Sequence, residues 1–291
     1  MAMLRVLVLK LQNDGTRPYK RPLNLFYLYS MNLDLSGKQA LVAGSTQGIG
    51  KAAAAELALL GARVTLLARD EQKLQAVVRE LPTPAHQQHD YLVADFADPS
   101  HVQKVAHERA THTPYCILVN NTGGPPAGPA LDATPEEFLR ALNSHLICNH
   151  HLVQELVPGM KKLGYGRIIN IISTSVKIPI AGLGVSNTTR GAVASWAKTL
   201  SLELAAFGIT VNNVLPGSTQ TGRIEDIIRN RAVRTGKSAD EIRQQMIEEI
   251  PAGRMATPEE VAAAIAFLAT PAAAYINGVS LPVDGGRTGS I

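Results

Sequence analysis

Gly44, Ser45, Thr46, Gln47, Gly48, Ile49 and Gly50 carry the spacing G-x-x-x-G-x-G, and the chemistry open to such a run is to hold a phosphate. Glycines let the main chain approach a bulky anion, and the unpaired N–H groups at the positive end of a following helix favour a pyrophosphate there. The better-known spacing is G-x-G-x-x-G, and alone a glycine-rich turn from strand to helix is a weak signal. A second group is Ser173-Thr174-Ser175, which ends an apolar run, a common place for reacting side chains in open α/β sheets. A third is Arg69, at the end of another apolar run, whose cation suits a ribose 2′-phosphate; a carboxylate in first position would instead accept from the 2′-hydroxyl of NAD. The residues favour NADP, and Asp70 next door leaves NAD open.

The elements that must position these groups follow from the apolar pattern. Residues 39–43 run as a strand into the glycine turn and alanine-rich 51–60 leaves it as a helix. A strand at 62–68 and a polar helix from 69 to about 79 complete a βαβ unit. Strands are expected at 91–95 and 116–120, and near-continuous apolar runs of this length suit strands covered on both faces. A rigid polar turn at 120–126 leads to a helix over 135–160 and a strand over 167–172. A loop with Lys177 and Pro179 precedes a helix over 186–207, and a strand at 210–214 closes in Pro216-Gly217. The polar, arginine-rich stretch 218–252 holds helical segments near 225–234 and 239–250 and fits a mobile lid over a site. The last helix opens at Thr257-Pro258-Glu259-Glu260, a cap followed by proline, and a strand at 280–283 ends the fold.

A chain of 291 residues can bury one large core, and a single α/β domain over 31–291 is expected. Composition is that of a soluble enzyme, 45% hydrophobic and 18% charged, without an apolar run near the ~18 residues of a membrane span. Cys116 and Cys148 lie in apolar context without metal-ligand spacing, which fits reduced, buried thiols in a cytoplasmic protein. The formal charge of +4 comes from residues 1–30, which hold five basic side chains against Asp14; residues 31–291 hold 23 of each sign. A neutral body argues against a nucleic-acid-binding surface. The basic leader lacks the marks of a secretory signal and reads as a poorly ordered extension before a natural start at Met31. The histidines, including His150-His151, have no partner at usable ligand spacing, so no metal is expected.

In order, these segments resemble the short-chain dehydrogenase/reductase family over about residues 33–287. The matching motifs are Gly44-x-x-x-Gly48-Ile49-Gly50, Leu118-Val119-Asn120-Asn121-x-Gly123, the strand from Arg167 to Ser173, Val211-Asn212-x-Val214-x-Pro216-Gly217, and Val283-Asp284-Gly285-Gly286. Pro251-Ala252-Gly253-Arg254 is most similar to the 3-oxoacyl-acyl-carrier-protein reductase branch. The resemblance implies a Rossmann-type doubly wound parallel sheet with helices on both faces. It implies NADP, with NAD possible, held by residues 44–50, Arg69, Asp95, Phe96, Asn120, Asn121, Gly123, Arg190, Pro216 and Gly217. It also implies a small-molecule or carrier-linked carbonyl substrate. A homotetramer or homodimer would form through the two long helices, the second carrying Gly191, Ala194 and Ser195 as a small-residue face.

In that family a serine polarises the carbonyl, a tyrosine thirteen residues on moves the proton, and a lysine four further lowers its pKa and holds the nicotinamide ribose. An asparagine on the preceding helix completes the relay. Ser173 matches the serine; the other positions fall on Ser186, Arg190 and His145, and no tyrosine occurs between Tyr165 and Tyr275. A serine hydroxyl is a far weaker acid than a phenol of pKa ~10, and arginine cannot relay protons. Ser186 cannot simply replace the tyrosine, and cofactor binding is expected to survive better than catalysis. His145, with a suitable intrinsic pKa, and Lys177, four residues after Ser173, are the candidate proton donors. Three readings stay open: an NADP-dependent oxidoreductase, a lyase or isomerase on the same scaffold, and a dinucleotide-binding protein without turnover.

Overall fold

The structure, a computed structural model, describes residues 31–290, so the extension expected at 1–30 lies outside the described residues. Seven strands form: β1 (Gln39–Ala43), β2 (Arg63–Ala68), β3 (Asp90–Val93), β4 (Ile117–Asn120), β5 (Gly166–Ile171), β6 (Ile209–Pro216) and β7 (Ser280–Val283). They pair in the order β3-β2-β1-β4-β5-β6-β7, every pair parallel. Parallel neighbours require crossovers, and these are α1 (Gly48–Leu59), α2 (Glu71–Glu80), α3 (Pro99–Ala110), α4 (Pro135–Leu142), α5 (Cys148–Leu163), α6 (Gly184–Leu204), α7 (Gly222–Thr235), α8 (Ala239–Glu248) and α9 (Pro258–Ala269).

Alternation along each strand splits the core in two. Ala40 and Val42 of β1 pack with Leu57 of α1, Leu74 of α2 and Ile265 of α9. Leu41 and Ala43, pointing the other way, pack with Val102 of α3, Leu152 of α5 and Ala197 of α6. Sheet order reverses between β1 and β4, and in such sheets ligands bind outside the strand ends at that point. Gly44 and Asn121 are the residues that leave those two strands.

The fold is the doubly wound sheet expected, with local differences. The sequence reading placed nothing between β3 and β4, where α3 stands. Asp98 starts it by accepting from the His101 N–H at 3.0 Å, and Pro99 occupies its first turn. The helix over 135–160 is interrupted by one π-helical turn, Asn143–Ile147, between α4 and α5. Residues 218–252 form α7 and α8, joined by a small core of Ile224, Ile228, Ile242 and Met246 and by an Arg243–Glu225 ion pair at 2.6 Å.

Candidate active site

The nucleotide end of the site is made of main chain. Asn121 Nδ2 donates to the Gly44 carbonyl at 3.0 Å, fastening the turn after β1 to the one after β4. Gly44 and Gly48 have φ of 58° and 55°, values that glycine adopts at no steric cost. A Cβ on Gly50 would stand 2.2 Å from the Gly44 carbonyl oxygen and 2.7 Å from Asn121 Nδ2, so only glycine fits. Asp70, Asp98, Thr134, Ser238 and Thr257 each cap the helix they precede, whereas α1 starts without a side-chain cap. Its first N–H groups are left for an anion.

At the adenosine end a cavity of about 470 Å³ is bordered by Thr46, Arg69, Asp70, Lys73, Asp95 and Phe96. The Asp70 carboxylate accepts from the Lys73 N–H at 3.0 Å, and that bond holds its pKa below the usual carboxylate value. Asp70 is therefore engaged as the cap of α2. Arg69 is 78% exposed and 3.9 Å from Asp95, a loose pair that leaves its guanidinium mobile toward a phosphate.

The reacting end is built from side chains. Ser173 ends the β5 segment, and its Oγ accepts from the Ser175 N–H at 3.1 Å, which leaves its own hydrogen free to donate. Ser186 and Arg190 lie one turn apart on α6, both buried and both bordering the cleft. Arg190 Nη1 donates to the Ile171 carbonyl at 3.0 Å, while its buried Nε has no partner among the described residues. Burial, with the Arg223 charge adding to it, brings the Arg190 pKa down to about 10. Next to this cleft a cavity of about 470 Å³ shares Ser173, Leu183, Pro216, Gly217, Ile224 and Ile227 with it. Space for a substrate thus adjoins the serine.

Gln47, Gly48, Ile49, Asn121, Gly123, Pro216 and Gly217 meet around the cleft. Ser45 and Asn120 instead turn into the scaffold. Ser45 Oγ accepts from the Leu67 N–H at 3.1 Å. Asn120 donates to Asn170 at 2.8 Å, Asn170 to Asn213 at 3.0 Å and Asn213 to Ser280 at 3.1 Å, an amide ladder across β4 to β7.

The two candidate proton donors are placed poorly for that task. Lys177 is exposed and borders neither the cleft nor the adjoining cavity. His145 sits on the π-helical turn, 2% exposed, with Nδ1 unpartnered. Burial first, then the charges of Arg190 and Arg223, push its pKa well below the ordinary histidine value. A neutral imidazole at pH 7 lacks the dissociable proton that a general acid donates. Among the described residues no tyrosine borders the cleft, and Tyr165 spends its hydroxyl on the Ala269 carbonyl at 2.6 Å.

Arg223 is one of five arginines of 218–252, with Arg229, Arg231, Arg234 and Arg243, whose presence in the sequence hints at an anionic or carrier-linked substrate. From the first turn of α7 Arg223 donates to the Pro125 carbonyl at 2.5 Å and lies over Gly124. Nothing in its spacing singles it out among the arginines of 218–252; only the fold brings it beside Arg190.

A family model described as Enoyl-(Acyl carrier protein) reductase matches residues 43–288. The chain belongs to the short-chain dehydrogenase/reductase family. Within this family of NAD(P)-dependent oxidoreductases it is 36% identical over 250 residues to the granaticin polyketide synthase putative ketoacyl reductase 1 of Streptomyces violaceoruber, covering 85% of this chain and 92% of that one. It is 33% identical over 256 residues to a tropinone reductase homolog of Arabidopsis thaliana, covering 87% and 91%. The L-sorbose reductase of Gluconobacter frateurii, solved with NADPH and L-sorbose, superposes with a TM-score of 0.83 at 30% identity, covering 90% of this chain and all of that one. Among the described residues no helix is long and apolar enough to cross a membrane.

Proposed function

We propose that this short-chain dehydrogenase/reductase passes hydride between NADP(H) and the carbonyl or alcohol carbon of a small-molecule substrate. The observation that carries this reading is the position of Ser173 on the wall common to the cleft and the adjoining cavity. The glycine turn and the uncapped start of α1 suit the pyrophosphate, and Arg69, with Asp70 engaged as a cap, suits the 2′-phosphate. When bound, the dinucleotide supplies the hydride.

The chain's own residues supply orientation and charge. Ser173 Oγ–H donates to the substrate oxygen, and the Arg190 guanidinium stabilises the negative charge that develops there, a preorganised electrostatic role. The proton that completes the alcohol comes from solvent, because neither His145 nor Lys177 is placed to give it. The ketoacyl reductase relative supports a 3-oxo substrate, of which a carrier-linked 3-oxoacyl group is one form, and the acyl-carrier-protein wording of the family description supports the carrier link. The α7–α8 pair closes over it as a lid. Association as a homotetramer or homodimer through α5 and α6 fits the open space above Gly191, and light scattering tests it.

The test of function is to titrate NADPH by fluorescence and then follow its oxidation with a panel of ketones, 3-oxo esters and an acetoacetyl thioester. Binding with oxidation supports the reading. Binding without oxidation across the panel leaves a nucleotide-binding protein, and no binding removes the reading altogether.

A further inference from the structure

We propose that the reacting end of the cleft is built for a substrate with a free carboxylate close to its carbonyl, held between Arg190 and Arg223. This deepens the reductase reading and rests on it. Among the described residues two guanidinium groups border the cleft, and no aspartate or glutamate does. Arg190 is the stronger observation. It is more than nine-tenths buried, gives one nitrogen to the Ile171 carbonyl, and keeps Nε without a partner. A buried cation with an unused donor is costly unless an anion completes it.

Arg223 supplies the second half. Its Nη2 is held by the Pro125 carbonyl and its plane lies against Gly124, so the guanidinium is fixed at the cleft rather than swinging in solvent. Its charge reaches both Arg190 and His145. Of the two acids nearest in sequence, Glu225 pairs with Arg243 at 2.6 Å and Asp226 faces Arg229 at 3.5 Å, its charge reaching Arg223 without a hydrogen bond. The helix that carries Arg223 starts without a side-chain cap at Thr221, so its first N–H groups add to the same positive field. Planar guanidinium groups match a carboxylate in two-point geometry. A thioester or a simple ketone offers this pair only a neutral carbonyl oxygen, without the charge that a carboxylate brings.

The cofactor's own phosphates are the other source of negative charge. The pyrophosphate belongs at the glycine turn and the start of α1, on β1. Arg190 is bonded to Ile171 at the end of β5, two strands across the sheet from β1, and shares α6 with Ser186. An acid beside the reacting carbonyl therefore fits Arg190, and Arg223 decides between the two sources.

The experiment compares acetoacetate with ethyl acetoacetate as substrates for NADPH oxidation, in the wild type, Arg223→Gln and Arg223→Lys. Calorimetric titration of acetoacetate into the protein, with and without NADPH, accompanies it. The acid is expected to be preferred in kcat/KM. Arg223→Gln should lower the acid-to-ester preference by about tenfold, the loss of one charged hydrogen-bonding partner, and Arg223→Lys should restore part of it. A merely structural role would lower both substrates alike and leave the ratio unmoved.

An unchanged ratio overturns the proposal, as does an Arg223→Gln effect confined to NADPH affinity, which would assign Arg223 to the cofactor. If NADPH is oxidised with the ester but acetoacetate is no better, the proposal falls and the reductase reading stands. If NADPH does not bind, the reductase reading falls. Acetoacetate binding to the protein alone then decides: heat lost in Arg223→Gln supports the anion site, and no heat in the wild type overturns it.

Discussion

The two ends of the cleft are built from different materials. At the nucleotide end the lining is mostly main chain, the Gly44–Gly50 turn and the uncapped first turn of α1, with the Asn121 side-chain amide fastening Gly44. At the reacting end they are side chains on three separate elements, Ser173 after β5, Ser186 and Arg190 on α6, and Arg223 on α7. Main-chain donors persist through nearly any substitution that keeps the backbone path, whereas one side-chain replacement changes the chemistry outright. Family members use tyrosine and lysine where Ser186 and Arg190 stand here. On the proposed function, the carrier's site is retained while the proton chemistry is rebuilt around a fixed positive charge.

The comparison breaks most readily at the glycine turn. Gly50→Ala would place a methyl group 2.2 Å from the Gly44 carbonyl oxygen, so the turn must open and the N–H groups lose their aim. NADPH affinity should fall by about a hundredfold, the scale expected for a misplacement of roughly 1 Å, with far-UV circular dichroism unchanged. Arg69→Glu should act on selectivity rather than on binding as such. The ratio of NADPH to NADH affinity is expected to fall by about tenfold, as a repelled 2′-phosphate costs more than 1 kcal/mol. Competitive titration of the two carriers reads it.

The smallest effect concerns stability. The folded protein holds His145 neutral, with a pKa below its unfolded value of ~6.5, so below that pH the unfolded chain binds the extra proton. The stability that depends on neutral His145 is complete above ~6.5 and drains away as pH falls below it, by up to about 1.4 kcal/mol per pH unit. His145→Gln should flatten this acid limb in urea unfolding between pH 7 and 5, leaving stability at pH 8 less affected.

Much of the scaffold was legible because the signals were local. The runs at 39–43, 116–120 and 167–172 are buried on both faces and so nearly continuous in apolar residues, and the glycine turn follows from spacing alone. α3 escaped because its inward face is small, Val102, Val105, Ala106 and Ala110, although Asp98-Pro99 carried a start signal of the same kind as Thr257-Pro258. Asn120 was legible as part of a motif but not in its task. Its amide faces Asn170 because β4 and β5 pair in a register that puts the two opposite each other. Arg223 was hidden by distance, 33 residues from Arg190 along the chain and adjacent only once α7 folds over the turn after β4. His145 reads as a candidate acid from its intrinsic pKa, but its burial, which lowers that pKa, is not contained in the sequence.

The central claim is that holding the carrier and handling the carbonyl are separable. Ser173→Ala tests it most directly, with NADPH affinity by fluorescence titration and kcat for a turned-over 3-oxo compound measured on the same sample. The expected result is a loss of about a hundredfold in kcat, the scale for removing one donor to a developing oxyanion, with NADPH affinity inside about threefold of the wild type. A fall in NADPH affinity as large as the fall in kcat would contradict it.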